Sequence, residues 1–167
     1  MVAGGLVAAA CSGGDAPEFH VRNTAVVIRS SAAFTRQNDL PTRIESTIEA
    51  ALSYWGGTWQ QLDGKTVVLD GSAHVTCGGV DNAIGCYDGD AVHVSTQDAG
   101  TALRCVEETV LVHEVGHAII GDPGHADPRW MDFSSITRDL EGRTGYGDGG
   151  EETCPIYVSI WRHPPNG

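Results

Sequence analysis

Apolar positions along the chain follow two rhythms. Residues 24–30, Thr-Ala-Val-Val-Ile-Arg-Ser, are β-branched and apolar, which predicts a first, central strand. From Leu40 the period changes. Ile44, Ile48, Leu52 and Trp55 recur at helical spacing, Pro41 suits a first helical turn, and Gly56-Gly57 stops the pattern. This predicts an amphipathic helix over 40–55 that packs its apolar stripe on a sheet. Residues 65–70 predict a second strand, 74–77 a short third, and 91–96, with alternating character, a fourth. The next apolar stretch is of another kind. Val110, Leu111, Val112, Val115, Ala118, Ile119 and Ile120 cover a helix on most of its circumference, which predicts burial on all sides.

Three polar residues stand inside that helix: His113, Glu114 and His117. Buried polar groups without partners are costly, so their presence asks for a use. Imidazoles at i and i+4 share one face of a helix and can grip a single metal ion, each nitrogen about 2.0–2.1 Å from it. Glu114 is turned about 100° from His113, which places its carboxylate beside such an ion, where it can act as a base toward water. Beyond the helix, Gly121 is a C-cap, Asp122-Pro123-Gly124 is turn chemistry, and His125 arrives just after the chain reverses. A third donor there completes a catalytic set with one position left open. His125 is the first choice for that donor, and Asp122 and Asp127 are carboxylate alternatives of suitable chemistry.

The runs His113-Glu114-Val115-Gly116-His117 and Gly124-His125-Ala126-Asp127-Pro128, followed by Met131, resemble the metzincin clan of zinc metallopeptidases, and within it the matrixins. The family spaces its third histidine six residues after the second, with a glycine three after it. Here His125 lies eight residues after His117 and Gly121 four after it, a two-residue insertion in the turn. The resemblance implies an α+β fold of the zincin/metzincin kind: a twisted mixed sheet, a central buried catalytic helix and a small C-terminal subdomain. It implies one catalytic Zn²⁺ on His113, His117 and His125, Glu114 as general base, and Met131 as an apolar floor beneath the ligands. By the same likeness, residues 91–96 become the edge strand on which a peptide substrate pairs, with Val92, His93 and Val94 as substrate-binding positions. The resemblance also implies that residues 132–137 line the specificity pocket. Phe133 stands where some metzincins carry a tyrosine that approaches the metal, and has no hydroxyl to do so. The implied activity is endopeptidase. A zinc hydrolase with a non-peptide substrate, and an exported zinc-stabilised binding module without activity, are the rival readings.

Composition bears on partners and compartment. At 167 residues and 41% hydrophobic, the chain suffices for one domain with a proper core. A formal net charge of −12 argues against nucleic acid and anionic membrane surfaces, which require basic patches. No apolar run is long enough for a transmembrane helix. Residues 1–11 are small and apolar and end Ala8-Ala9-Ala10-Cys11, similar to the end of a bacterial lipoprotein signal, although no Lys or Arg precedes the apolar run. On that reading Cys11 is the lipidated membrane tether, residues 12–22 are a flexible linker, residues 23–167 are the catalytic domain, and the protein is extracytoplasmic and monomeric. The remaining cysteines are even in number, as an oxidising compartment favours. Cys77 with Cys86 and Cys105 with Cys154 is the preferred of three possible pairings. His74 and His93 are the donors from which a second, structural zinc site would be built, although strand histidines are more often plain surface residues. Residues 145–152 are glycine-rich and acidic; they read as a solvated loop, with Ca²⁺ conceivable but no EF-hand spacing. Residues 134–143 predict a short helix and 156–161 a strand.

Overall fold

The computed structural model describes residues 18–29, 33–34, 40–77, 79–98, 103–106 and 108–133. Cys11, Cys154, the helix expected over 134–143, the loop 145–152 and the strand 156–161 lie outside the described residues. The fold is mixed α+β, with a five-stranded mixed sheet and two helices. The sheet is built from β1 (Phe19–Val21), β2 (Thr24–Arg29), β4 (Thr66–Asp70), β7 (Gly85–Tyr87) and β8 (Ala91–Val94), in the order β1-β2-β4-β8-β7. Its three middle strands run parallel, and β1 and β7 close the two edges antiparallel. Two smaller sheets flank it. In one, β10 (Leu103–Val106) lies between β3 (Ala33–Phe34) and β9 (Thr96–Asp98), and in the other β5 (Val75–Cys77) pairs with β6 (Val80–Ala83).

Register explains the core. Val26, Val67 and Val92 stand side by side across β2, β4 and β8, and Ile28, Leu69 and Val94 form the next such row. Side chains two apart on a strand share a face, so these rows make one apolar surface. Val27 and Val68, on the opposite face, are buried too, which is why the parallel strands read as near-continuous apolar runs. Helix α1 (Leu40–Trp55) buries Leu40, Ile44, Ile48, Ala51, Leu52 and Trp55. Helix α2 (Glu108–Ile120) packs against α1 and against β7 and β8. Each large apolar side chain buried there contributes roughly 1.5–3 kcal/mol.

Two polar contacts fix the helices to each other. Trp55 donates its indole N–H to the carbonyl of Val112 at 2.9 Å. Arg43 reaches Glu108, in the first turn of α2, at 3.1 Å, with the Arg43 side chain buried and that of Glu108 largely so. No helix among the described residues is long and apolar enough to cross a membrane.

The structure corrects three expectations about order. The first expected strand is β2, which is second in the sheet, and β4 is the central one. Residues 91–96 are not an edge strand. β8 ends at Val94 with neighbours on both sides, Thr96 starts a strand of another sheet, and among the described residues the edge beyond β8 is β7. Phe19–Val21, inside the stretch expected as a linker, is strand β1.

Candidate metal centre

Helix α2 carries His113 and His117 one turn apart, and the chain beyond it brings His125 to them. The three Nε2 atoms form a triangle with every edge 3.1 Å. His113 is buried, His117 half-buried and His125 exposed, so the triangle opens toward solvent on one side. Burial, and then the two neighbouring imidazoles, push His113 down to about 3, and burial also lowers His117. Both are therefore neutral at physiological pH, the form in which a ring nitrogen offers its lone pair to a metal. His117 Nδ1 lies 3.0 Å from the carbonyl oxygen of Asp122; donating there puts the proton on Nδ1 and frees Nε2. The cluster can hold a metal ion, and among the described residues it is the one group of ligating side chains so arranged.

The turn after α2 explains how His125 arrives. Gly121 ends the helix at φ 62° and donates to His117 O. The carboxylate of Asp122 then accepts from Gly124 N at 3.1 Å, Asp127 N at 2.8 Å and Trp130 Nε1 at 3.1 Å. The Asp127 N–H, and then the other donors, hold that carboxyl below the usual carboxylate range. Asp127 accepts from Arg129 N, Nε and Nη2, and Arg129, chiefly through those side-chain bonds, takes its carboxyl down to about 2. Neither aspartate joins the histidine cluster. Of the three candidates for the third donor, the geometry gathers His125.

Indole, not thioether, backs the cluster. The Trp130 ring lies 4.7 Å from that of His113, 4.6 Å from His117 and 4.6 Å from His125. It rests on Trp55 at 4.4 Å, and Phe133 packs on His113 at 5.2 Å. Met131, expected as the apolar floor, is 68% exposed. In the 3-10 turn Pro128–Met131 the indole points inward, and the residue after it faces out. Arg129 locks this turn to α1: its Nη1 donates to Trp55 O, while Tyr54 donates to Arg129 O at 2.6 Å. Of the expected pocket residues 132–137, only Asp132 and Phe133 are described.

Glu114 is buried beside the cluster, and burial raises its carboxyl to about 8. It lines a cleft of about 700 Å³, together with His113, His117 and His125 and with Ile84, Gly85 and Tyr87. A disulfide joins Cys86 in β7 to Cys77 in β5. Cys105 lies in β10, and its expected partner lies outside the described residues.

The expected substrate-binding positions sit elsewhere. Val92 and Val94 are buried in the core, and His93 Nε2 is 3.1 Å from Asp88 Oδ2. His74 is exposed, and no structural metal cluster forms with His93 among the described residues. Sequence reasoning misses Gly85 and Trp130 and reads Asp122 only as an alternative donor, though a glycine inside a strand pattern is a known sign of close backbone approach. Comparison with family models, with curated proteins and with solved structures finds no match to this chain.

Proposed function

We propose that the protein is a metzincin-like, matrixin-like zinc endopeptidase of the cell envelope or exterior. The observation that carries this reading is the convergence of His113, His117 and His125, with Glu114 lining the same open cleft. Three nitrogens at about 2.0–2.1 Å from one tetrahedral ion stand about 3.3–3.4 Å apart, close to the observed edge of 3.1 Å. All-imidazole donors, one coordination position facing a cleft and no thiolate suit a catalytic rather than a structural zinc site. When bound, Zn²⁺ would act as a Lewis acid toward water and the scissile carbonyl, and its charge would favour the ionised form of Glu114.

The chain's own residues divide the remaining work. The Glu114 carboxylate takes a proton from the attacking water and returns it to the leaving amide nitrogen. Its place against β7 keeps it in the cleft wall, within reach of a peptide lying along that strand. The outer edge of β7 has no strand partner among the described residues, so an extended substrate has main-chain groups to pair with there. Trp130 and Phe133 keep water from the inner side of the ligands, which strengthens electrostatics at the site.

The test is cleavage of an unfolded protein substrate by the purified protein, with and without a chelator, beside Glu114→Ala. Chelator-sensitive cleavage, lost in Glu114→Ala with zinc content unchanged, is the expected result. If the wild type binds zinc but cuts no protein, small esters and amides decide between a different substrate class and a binding module.

A further inference from the structure

The turn between the second and third histidines is two residues longer than in the family the motif resembles, and one carboxylate closes it. Asp122 Oδ1 accepts from the N–H of Gly124, the residue just before His125; Oδ2 accepts from the N–H of Asp127, two residues after it, and from Trp130 Nε1. The main-chain oxygen of Asp122 meets His117 Nδ1 at 3.0 Å. Between these anchors His125 sits at φ 56°, a left-handed conformation that a non-glycine residue keeps only where its surroundings impose it. With both of its oxygens occupied by N–H donors, the Asp122 carboxylate is directed into the turn.

Building on the zinc reading above, we infer that Asp122 is a positioning residue: its carboxylate clamps the turn around His125, and it sets metal affinity through His125 without being a ligand. Backbone N–H groups on both sides of a ligand, drawn to one carboxylate, fix the path of the chain where the ligand's own conformation is unfavourable. A partner that orients a metal ligand typically changes affinity by about 10–100-fold when removed.

The experiment is Zn²⁺ affinity by competition with a chromophoric chelator, on the full chain. The proteins are wild type, Asp122→Ala, His125→Ala and the double variant, with the fold of each metal-free protein checked by circular dichroism. Asp122→Ala is expected to weaken Zn²⁺ about 10–100-fold in the wild-type background and to change affinity by less than about twofold in the His125→Ala background. At saturating Co²⁺, Asp122→Ala keeps the visible spectrum of the wild type, because the ligand set is unchanged. An equal loss in both backgrounds overturns the inference, since Asp122 then acts on the fold at large or as a ligand in its own right. A wild-type affinity in Asp122→Ala overturns it as well, leaving the zinc reading intact. A folded wild type that takes up no Zn²⁺ sinks the zinc reading and the inference together. Should Asp122→Ala not fold, Asp122→Asn serves: it keeps one acceptor oxygen and sets an NH₂ against the N–H groups of Asp127 and Trp130, and the same coupled loss is expected.

Discussion

Gly85 and Glu114 touch so closely that a β-carbon on the glycine would lie 2.9 Å from Glu114 Oε1. The same atom would come within 2.3 Å of Val110 Cγ1, so β7 crosses α2 with bare backbone between strand and helix. The general base proposed above is thus set in place by a missing side chain on another element. Gly116, inside the histidine motif, does the same on the opposite side of α2, where a β-carbon would meet Trp55 Cε2 at 2.6 Å and Trp130 Cη2 at 2.8 Å. The histidine-bearing helix is seated between a strand and an indole pair, with a glycine at each contact.

Gly85→Ala is expected to separate the base from the metal donors. The added methyl has no space, so strand or carboxylate shifts, at about 1–3 kcal/mol in stability. A shift near 1 Å at a reacting group costs on the order of 10²-fold in rate. The histidines stay in place, so Zn²⁺ affinity is expected to hold within about threefold, half a kcal/mol or so. Cleavage rate and chelator competition on the same preparation check this. A loss of affinity as large as the loss of rate would refute it.

Much of this arrangement is written in the sequence where local chemistry repeats. Helix α1 begins and ends where Pro41 and Gly56 bracket a clean helical period, and the meeting of His113 and His117 follows from their i, i+4 spacing. Sheet order is not local. The strand that lines the cleft, Gly85-Cys86-Tyr87, has no apolar alternation and hides among turn residues, whereas Ala91–Val94 reads as a strong strand because it lies inside the sheet with Val92 and Val94 buried in the core. Phe19–Val21 is too short and mixed to register as β1. Asp122 misleads for another reason: a carboxylate beside ligating histidines reads as a donor to the ion, and only the folded turn reveals three N–H groups already holding it.

Trp130 and Met131 are expected to exchange the roles their family likeness suggests. Trp130→Ala removes a buried indole that touches three imidazoles and Trp55, at about 3–5 kcal/mol in stability, with weaker metal binding. Met131→Ala, at a side chain 68% exposed, is expected to stay within about 0.5 kcal/mol of wild type. Urea midpoints of the two variants give the comparison. Equal losses would return Met131 to the floor of the site.

Arg43 and Glu108 predict a further asymmetry. The pair lies 3.1 Å apart with side-chain exposures of 6% and 10%, and links α1 to the first turn of α2. Glu108→Ala removes one partner of a buried guanidinium and is expected to cost up to about 3–5 kcal/mol. Replacing both by apolar residues, as in Arg43→Met with Glu108→Leu, is expected to recover most of that loss, because two buried charges no longer have to be desolvated. Chemical denaturation of the single and double variants tests it; a double variant as weak as Glu108→Ala would count against the pair as the cause.

The metal-free protein should be most stable in mildly acidic solution, because two buried groups act with opposite sign. His113 has its carrying pKa lowered from 6.5 to about 3 by burial and its neighbouring imidazoles. Between those values the unfolded chain binds the proton and the folded one does not, so this contribution is present above pH 6.5 and is lost as pH falls toward 3. Glu114 is raised by burial from 4.5 to about 8, so the folded state holds its extra proton between those values. Its contribution is present below 4.5 and is lost as pH rises through 8. Each limb has a slope of up to about 1.4 kcal/mol per pH unit. From 4.5 to 6.5 the slopes oppose and nearly cancel; below that window His113 governs and stability falls with acid, and above it Glu114 governs and stability falls with base. Chelator-treated protein unfolded in urea near pH 4, pH 5.5 and pH 7.5 is therefore expected to be strongest at the middle value. Glu114→Gln, neutral at every pH, removes the alkaline limb alone and leaves the acid one. A metal-free protein whose stability climbs steadily from pH 5.5 to pH 7.5 would mean that Glu114 is ionised in the fold, and the buried, proton-holding base would have to be given up.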